Sequence, residues 1–428
     1  MLEQQIKKGY KQTELGIIPE DWKVGNILDD STLKARIGWQ GLTTAEYRTH
    51  GKFYLVTGTD FKNGKINWDT CVFVDKERFD QDKHIQLKIG DVLITKDGTI
   101  GKIAYVDSLP FPATLNTGVF VIRSKNNNYL SLFLYYILTS SYFKNFLTKL
   151  VAGSTINHIY QKDFVTFSFV IPKITEQEKI TRSLFDIDEL IKQLDHLIVK
   201  KKNIQQGVMT ELLTGKTRLK GFSEEWENCS INSLCKLFTK QTGFDYTAHI
   251  KPKLVTRYKK GVIPFIQNKD FQSKKTNFKT DYYIPENVAK KFPRILLDEK
   301  CLLISISGSV GKVGIFSNLQ MAFVGGAVAV AKFINKRQLE WVMYYLLSNV
   351  GQNKLFRNVK AGSHKNLILA DLREIKIPLP SEKEQFAIVS ILSDLDSEME
   401  ELRKNRDKYI KLKEGMMQKL LTGEIRLK

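Results

Sequence analysis

The chain contains the same 50-residue block twice. Residues 171–220 align without a gap on residues 379–428, at an offset of 208, and 18 of the 50 positions are identical. The identities include Pro172/Pro380, Glu176/Glu384, Gln177/Gln385, Ile180/Ile388, Leu184/Leu392, Asp186/Asp394, Asp188/Asp396 and Leu194/Leu402. The block ends match best, with Leu212-Leu213-Thr214-Gly215 and Arg218-Leu219-Lys220 facing Leu420-Leu421-Thr422-Gly423 and Arg426-Leu427-Lys428. Any fold must therefore build one element twice. Each block reads as a single long helix. Thr175…Glu178 and Ser381…Glu384 have capping-box spacing behind Pro172 and Pro380, and Gly215 and Gly423 are helix stops. Apolar residues recur with 4-3 spacing at Ile180, Leu184, Ile187, Ile191 and Leu194, and again at Ile388, Leu392, Leu395, Met399 and Leu402. That is a coiled-coil seam. It predicts that the two helices pair with each other; the alternative is two amphipathic helices, each lying on its own domain.

The segments between the helices repeat more weakly. Glu20-Asp21-Trp22 matches Glu224-Glu225-Trp226, Asp60-Phe61 matches Asp270-Phe271, and Gly98-Thr99-Ile100-Gly101-Lys102 matches Gly308-Ser309-Val310-Gly311-Lys312. Ala152-Gly153-Ser154 matches Ala361-Gly362-Ser363. These segments mix strand-like runs (53–57, 92–95, 118–122, 301–305) with helical ones (129–150, 337–356). The predicted fold class is α+β: two α/β domains, pseudo-twofold related, separated by two long antiparallel coiled-coil helices. The divisions are 1–170 and 221–378 for the domains, and 171–220 and 379–428 for the helices. The central junction, Leu-Thr-Gly…Arg-Leu-Lys running on to Trp226, is split in two at the chain ends. Antiparallel helices then predict N- and C-termini close together.

Charge separates the halves. The formal net charge is +20, of which residues 221–378 contribute +13, residues 1–170 only +4 and residues 379–428 none. A folded chain this basic points to an anionic partner, either nucleic acid or a membrane surface. No apolar stretch approaches the roughly 20 residues of a membrane span, and the N-terminus has no apolar signal region. Cys71, Cys229, Cys235 and Cys301 form no C-x-x-C pair, so reduced thiols and a cytoplasmic location are expected.

The chemistry expected is that of a reader, with no catalytic residues and no metal site. The two Gly-x-x-Gly-Lys segments lack the spacer and the hydroxyl residue of a phosphate loop, and read as tight turns between strands. The six histidines are scattered, and no zinc motif appears. Asp186/Asp188 and Asp394/Asp396, two apart on a helix, point to different faces and do not pair for catalysis. Were the anionic partner DNA, its bases would be read by bidentate groove contacts and its phosphates gripped by charge. Candidate contacts are Arg36, Trp39, Gln40 and Thr43 in one polar loop, with Lys96, Ser154 and Thr155 elsewhere in the first domain. In the second they are Arg257, Lys259 and Lys260, with Ser363, His364 and Lys365. For each of these, a plain solvated loop is the competing reading. Trp22 and Trp226 are expected as core anchors.

Taken together, Thr13-Glu14-Leu15-Gly16-Ile17-Ile18-Pro19-Glu20-Asp21-Trp22, Gly90-Asp91-Val92-Leu93-Ile94, the two Gly-x-x-Gly-Lys turns, the Ala-Gly-Ser segments, the Pro…Glu-Gln helix openings and the Leu-Leu-Thr-Gly ends resemble the specificity (S) subunit of type I restriction–modification enzymes. The resemblance covers essentially the whole chain. It implies two target recognition domains, each reading one half of a bipartite DNA target, on helices that set the spacer. It implies double-stranded DNA, two methylation subunits and restriction subunits as partners, no membrane, and no catalysis by this chain. S-adenosylmethionine, ATP and Mg2+ then belong to the partner subunits. The second domain departs from the pattern where Ser307 stands for Asp97 and His364 for Thr155, which implies that the two half-sites differ. The alternative is a coiled-coil adaptor whose basic domains dock on membranes or acidic partners.

Overall fold

The strands Val92–Thr95 (β1) and Cys301–Ser305 (β3) are apolar on both faces, so each needs a covered sheet. The computed structural model describes residues 6–151, 158–272, 274–276, 280–317, 320–357 and 366–428. In it, each of these strands is the interior of a six-stranded sheet. The chain divides into two bodies, Met1–Asp195 with Asn405–Lys428, and His196–Lys404. The sequence suggests four segments; the contacts instead assign half of each helix to each body.

In the first body the large sheet runs Ser31–Lys34, Val119–Ser124, β1, Ile103–Tyr105 (β2), Lys65–Ile66, Phe61–Lys62. Alternation divides its core. Val92, Ile94, Phe120 and Ile122 face one hydrophobic cluster, while Leu93, Val119 and Val121 face another. The second body repeats the order with Cys235–Lys240, Val328–Phe333, β3, Val313–Phe316 (β4), Lys274–Thr276 and Phe271–Gln272. Leu302 and Ile304 face one side there, and Cys301 and Leu303 the other. The expected duplication of the domain is therefore present strand for strand.

The predicted helix at 129–150 is two helices, Ser131–Thr139 (α1) and Ser141–Val151 (α2); its counterpart is Leu339–Leu347 (α4) and Asn349–Phe356 (α5). The break is a serine in both bodies. Ser140 and Ser348 adopt extended backbone, and each hydroxyl donates to the carbonyl three residues back, at 2.6 Å. A side chain that competes for backbone groups ends one helix and starts the next, which periodicity alone does not show.

The long helices are Ile174–Leu213 (α3) and Glu382–Leu420 (α6). In the first body, Ile180 and Leu184 of α3 share a core with Met417 and Leu420 of α6. Asp188 pairs with Lys413 at 2.5 Å, and Asp195 with Arg406 at 3.4 Å. In the second, Met209, Leu212 and Leu213 share a core with Ile388 and Leu392, Lys201 pairs with Glu398, and the Gln205 amide donates to Asp396 at 2.5 Å. As the number rises on one helix it falls on the other, so within each body the helices run antiparallel. The pairing reading holds. Ile187 and Met399 are also buried, while Ile191, Leu194, Leu395 and Leu402 are half-buried.

The expected box at Ser381…Glu384 is replaced by a junction, and Thr175 of the other expected box lies inside α3, one residue past its start. Both oxygens of Glu384 accept from Arg218, at 2.8 Å, and one also accepts from the Trp226 indole at 2.9 Å. Glu176 does the same with Arg426 (2.7 and 2.8 Å) and the Trp22 indole (3.0 Å). Arg426 also grips Asp21, and the Tyr10 hydroxyl donates to the Gly423 carbonyl at 2.9 Å. The chain ends thus meet as the repeat predicts, and Trp22 is fully buried as an anchor. Burial alone raises the Glu176 carboxyl, but the hydrogen bonds from Arg426 and Trp22 outweigh it and hold the group below its usual range.

Candidate nucleic-acid interface

The turn between β1 and β2 is built from its own side chains. The Thr95 hydroxyl donates to the Thr99 carbonyl and accepts from the Lys102 amide at 2.9 Å. Ser305 repeats this between β3 and β4, with the Ser309 carbonyl at 2.7 Å and the Lys312 amide at 2.9 Å. Gly98, Gly101, Gly308 and Gly311 all have positive φ, between 67° and 81°. These are tight turns, in which the Gly101 and Gly311 amides donate to the Thr95 and Ser305 carbonyls.

Two other segments fasten to the end of each central strand. The Lys96 amide donates to the Gly118 carbonyl, and the Lys96 carbonyl accepts from the Ile159 amide. Ile306 makes the same pair of bonds with Ala327 and Leu367. Asp97 bridges His158, and Ser307 bridges Asn366. The Asp97 carboxylate also contacts the His158 imidazole. The expected contacts Ser154 and Thr155, and Ser363, His364 and Lys365, lie outside the described residues; the chain that follows each group is anchored at these bridges.

The first-domain loop reaches the same end. A Cβ on Gly41 would lie 2.9 Å from the Thr117 side chain, beside the Gly118 carbonyl that holds Lys96. Gln40 carries a buried Oε1 with no hydrogen-bond partner among the described residues. Trp39 lies in the short turn Gly38–Gln40, and its side chain is outside the described residues. The Lys96 ammonium stands 5.2 Å from the Phe120 ring centroid, a cation–π contact that directs it. The Thr43 hydroxyl is engaged with Glu46, in a cap of the next turn.

Arg36 departs from the expectation. It is 1% exposed, and its guanidinium donates to the Leu115 and Arg78 carbonyls, the Gln81 amide oxygen and the Thr114 hydroxyl. With its donors turned inward it organises the loop and does not face a base. Burial depresses its basicity, with the neighbouring Arg78 adding to the effect.

Arg257, Lys259 and Lys260 are exposed, as expected. They precede the strand Val262–Ile266, whose far end carries Asn268 into the β3–β4 turn; the Asn268 amide donates to the Ser307 carbonyl at 2.7 Å. A five-residue strand spans about 16 Å, so these cations and the turn flank opposite ends of this strand. Tyr258 among them is 69% exposed and rests edge-on against Tyr283.

Sequence reasoning missed Asn268, Lys312 and the Asp97–His158 contact. Lys312 donates to the Asn268 carbonyl at 3.2 Å. The lysine that closes the Gly-x-x-Gly turn in both repeats was the available signal. Among the described residues no group of three or more His, Cys, Asp and Glu could hold a metal, and no helix is long and apolar enough to cross a membrane.

A family model, the type I restriction modification DNA specificity domain, matches residues 19–200 and again 223–412. The chain belongs to this family. It is 24% identical to the type I restriction enzyme MjaVIII specificity subunit of Methanocaldococcus jannaschii, over 99% of this chain and 97% of that one. It is 21% identical to the EcoKI specificity subunit of Escherichia coli, over 96% and 90%. Among solved structures, the S subunit of the type I restriction-modification system from M. genitalium shares the fold at TM-score 0.54, with 16% identity, over 94% and 96%. The two matched stretches coincide with the two repeats of this chain. The adaptor reading accounts for none of these matches.

Proposed function

We propose that the chain is the DNA-sequence specificity subunit of a type I restriction–modification complex, and that each recognition domain reads one half of a split target. The observation that carries this is one framework built twice with different side chains at its end. Asp97 and His158 stand where the second body has Ser307 and Asn366. A donor–acceptor code in the major groove is read by such differences. The paired helices set the spacing between the half-sites and dock two methylation subunits, through which restriction subunits join. The methyl donor, ATP and Mg2+ serve those partners, and this chain supplies recognition.

The test exchanges residues 1–170 for the first domain of another family member, co-expresses the partner subunits and maps methylated DNA. One half-site should change, and the other half and the spacer should stay. An unchanged target, or loss of both halves, contradicts the reading.

A further inference from the structure

In the first body, four phenylalanines fill the space beneath α2. Phe143 and Phe167 have ring centroids 4.9 Å apart, Phe146 and Phe167 are 5.0 Å apart, and Phe143 and Phe164 5.9 Å. The serine breaks and the strand-end bridges fix the repeat here at an offset of 208. At those four positions the second body has Gly351, Lys354, Leu372 and Ile375. Three aromatic rings give way to aliphatic or charged side chains, and a fourth to none. At three of these positions, Lys354, Leu372 and Ile375, a cavity of about 340 Å³ opens, within the size range of small-ligand sites, about 300–1,000 Å³; at Gly351 the α4 backbone closes in instead, where a Cβ would meet the Tyr345 carbonyl.

Its chemistry is divided. The floor is Leu355, Leu367, Leu372 and Ile375, all buried. The rim carries Lys354, Arg357 and Lys376, where the first body has Phe146, Lys149 and Ser168. Lys354 is fixed by its bond to the Lys376 carbonyl at 2.7 Å and by the Tyr345 ring, 5.3 Å away. Arg357 makes no ion pair with any described residue, and its planar fork matches an oxyanion. Asp371 and Glu374 complete the rim as acceptors, and Asn366 supplies an amide.

We propose that this cavity binds a single nucleotide. The base lies on the aliphatic floor with the Asn366 amide at its edge. The phosphate meets Arg357 and Lys376, and Asp371 and Glu374 accept from sugar hydroxyl or exocyclic amine. Inorganic phosphate leaves the floor uncovered, and an apolar ligand leaves the cations unused. The nucleotide is either free or part of a DNA strand, and the first body has no room for one.

Saturation-transfer NMR and calorimetry on the full-length chain, with each of the four deoxynucleoside 5′-monophosphates, test this. At least one should bind saturably. Leu372→Phe, which restores the first body's residue, should weaken binding at least tenfold, with Ile375→Phe as a second cavity-filling variant. Arg357→Gln, at the surface, should weaken it about tenfold. Thermal melts should confirm that each variant is folded. If Leu372→Phe leaves duplex-DNA affinity unchanged, the ligand is a free nucleotide; a parallel loss identifies a nucleotide of the strand. The proposal is overturned by no saturable binding at millimolar nucleotide, by binding indifferent to folded variants of both cavity positions, or by inorganic phosphate competing as well as the nucleotide.

Discussion

Glu384 shows how one residue can be placed by a repeat yet misassigned by its sequence neighbours. Ser381…Glu384 predicts a capping box, yet Glu384 joins an arginine and a tryptophan about 160 residues away in sequence. In the first body the Arg426 and Glu176 side chains are only 14% and 6% exposed. Arg426→Met strands a buried carboxylate and should lower stability by about 3 kcal/mol, read by urea unfolding. The pH dependence has a definite sign. The Glu176 and Asp21 carboxyls are held below their ordinary values. Their stabilisation is present above the unfolded-state values near pH 4–4.5 and is lost as pH falls through the lower folded-state values. Arg426→Met should flatten that acid limb in pH-dependent melts. Arg36→Met should also cost about 3 kcal/mol by chemical unfolding, since it leaves buried carbonyls unsatisfied, while the DNA sequence recognised stays the same. A changed half-site would return Arg36 to the readers.

At the scale of the element, the long helices were legible because their pairing surface is written in local spacing. Most of their buried positions lie towards the helix ends, where Ile180 and Leu184, or Met209 and Leu212, enter a core, with Met399 buried nearer the middle of α6. The seam weakens between, at Leu197, Val199 and Ile204, which are exposed. An insertion there should be tolerated. Seven residues added after Val199 in α3 and after Leu402 in α6 keep the heptad phase and lengthen each helix by about 10.5 Å. That matches about three base pairs at 3.4 Å each. Methylation mapping should show both half-sites unchanged and the spacer longer by about three. The helix breaks at Ser140 and Ser348 escaped periodicity because the apolar pattern runs on through them; a hydroxyl bonded to its own backbone decides the point.

At the scale of the whole molecule, charge is divided unequally between two copies of one framework. The net +13 of residues 221–378 predicts steeply salt-dependent DNA binding. Replacing Arg257, Lys259 and Lys260 by glutamine should reduce the slope of log affinity against log salt by up to about 3, close to 0.9 per lost phosphate contact. The methylated sequence should stay the same if these residues hold phosphates and do not read bases. An unaltered slope would remove the loop from the interface.

The duplication, the helical seam, the tight turns, the α+β class and the meeting of the chain ends were all determined by the sequence itself, because each depends on residues near one another or on the comparison of one stretch with its repeat. Only the tertiary structure decided the fate of individual side chains. Arg36 sits in a loop whose composition looks solvated, yet its partners come from Arg78, Gln81, Thr114 and Leu115, some 42–79 residues away. The cavity under α5 is lined by three replacements spread over residues 354–375 that matter only because folding gathers them in one place. Burial is a sum over neighbours brought from distant parts of the chain, and local spacing does not contain that sum.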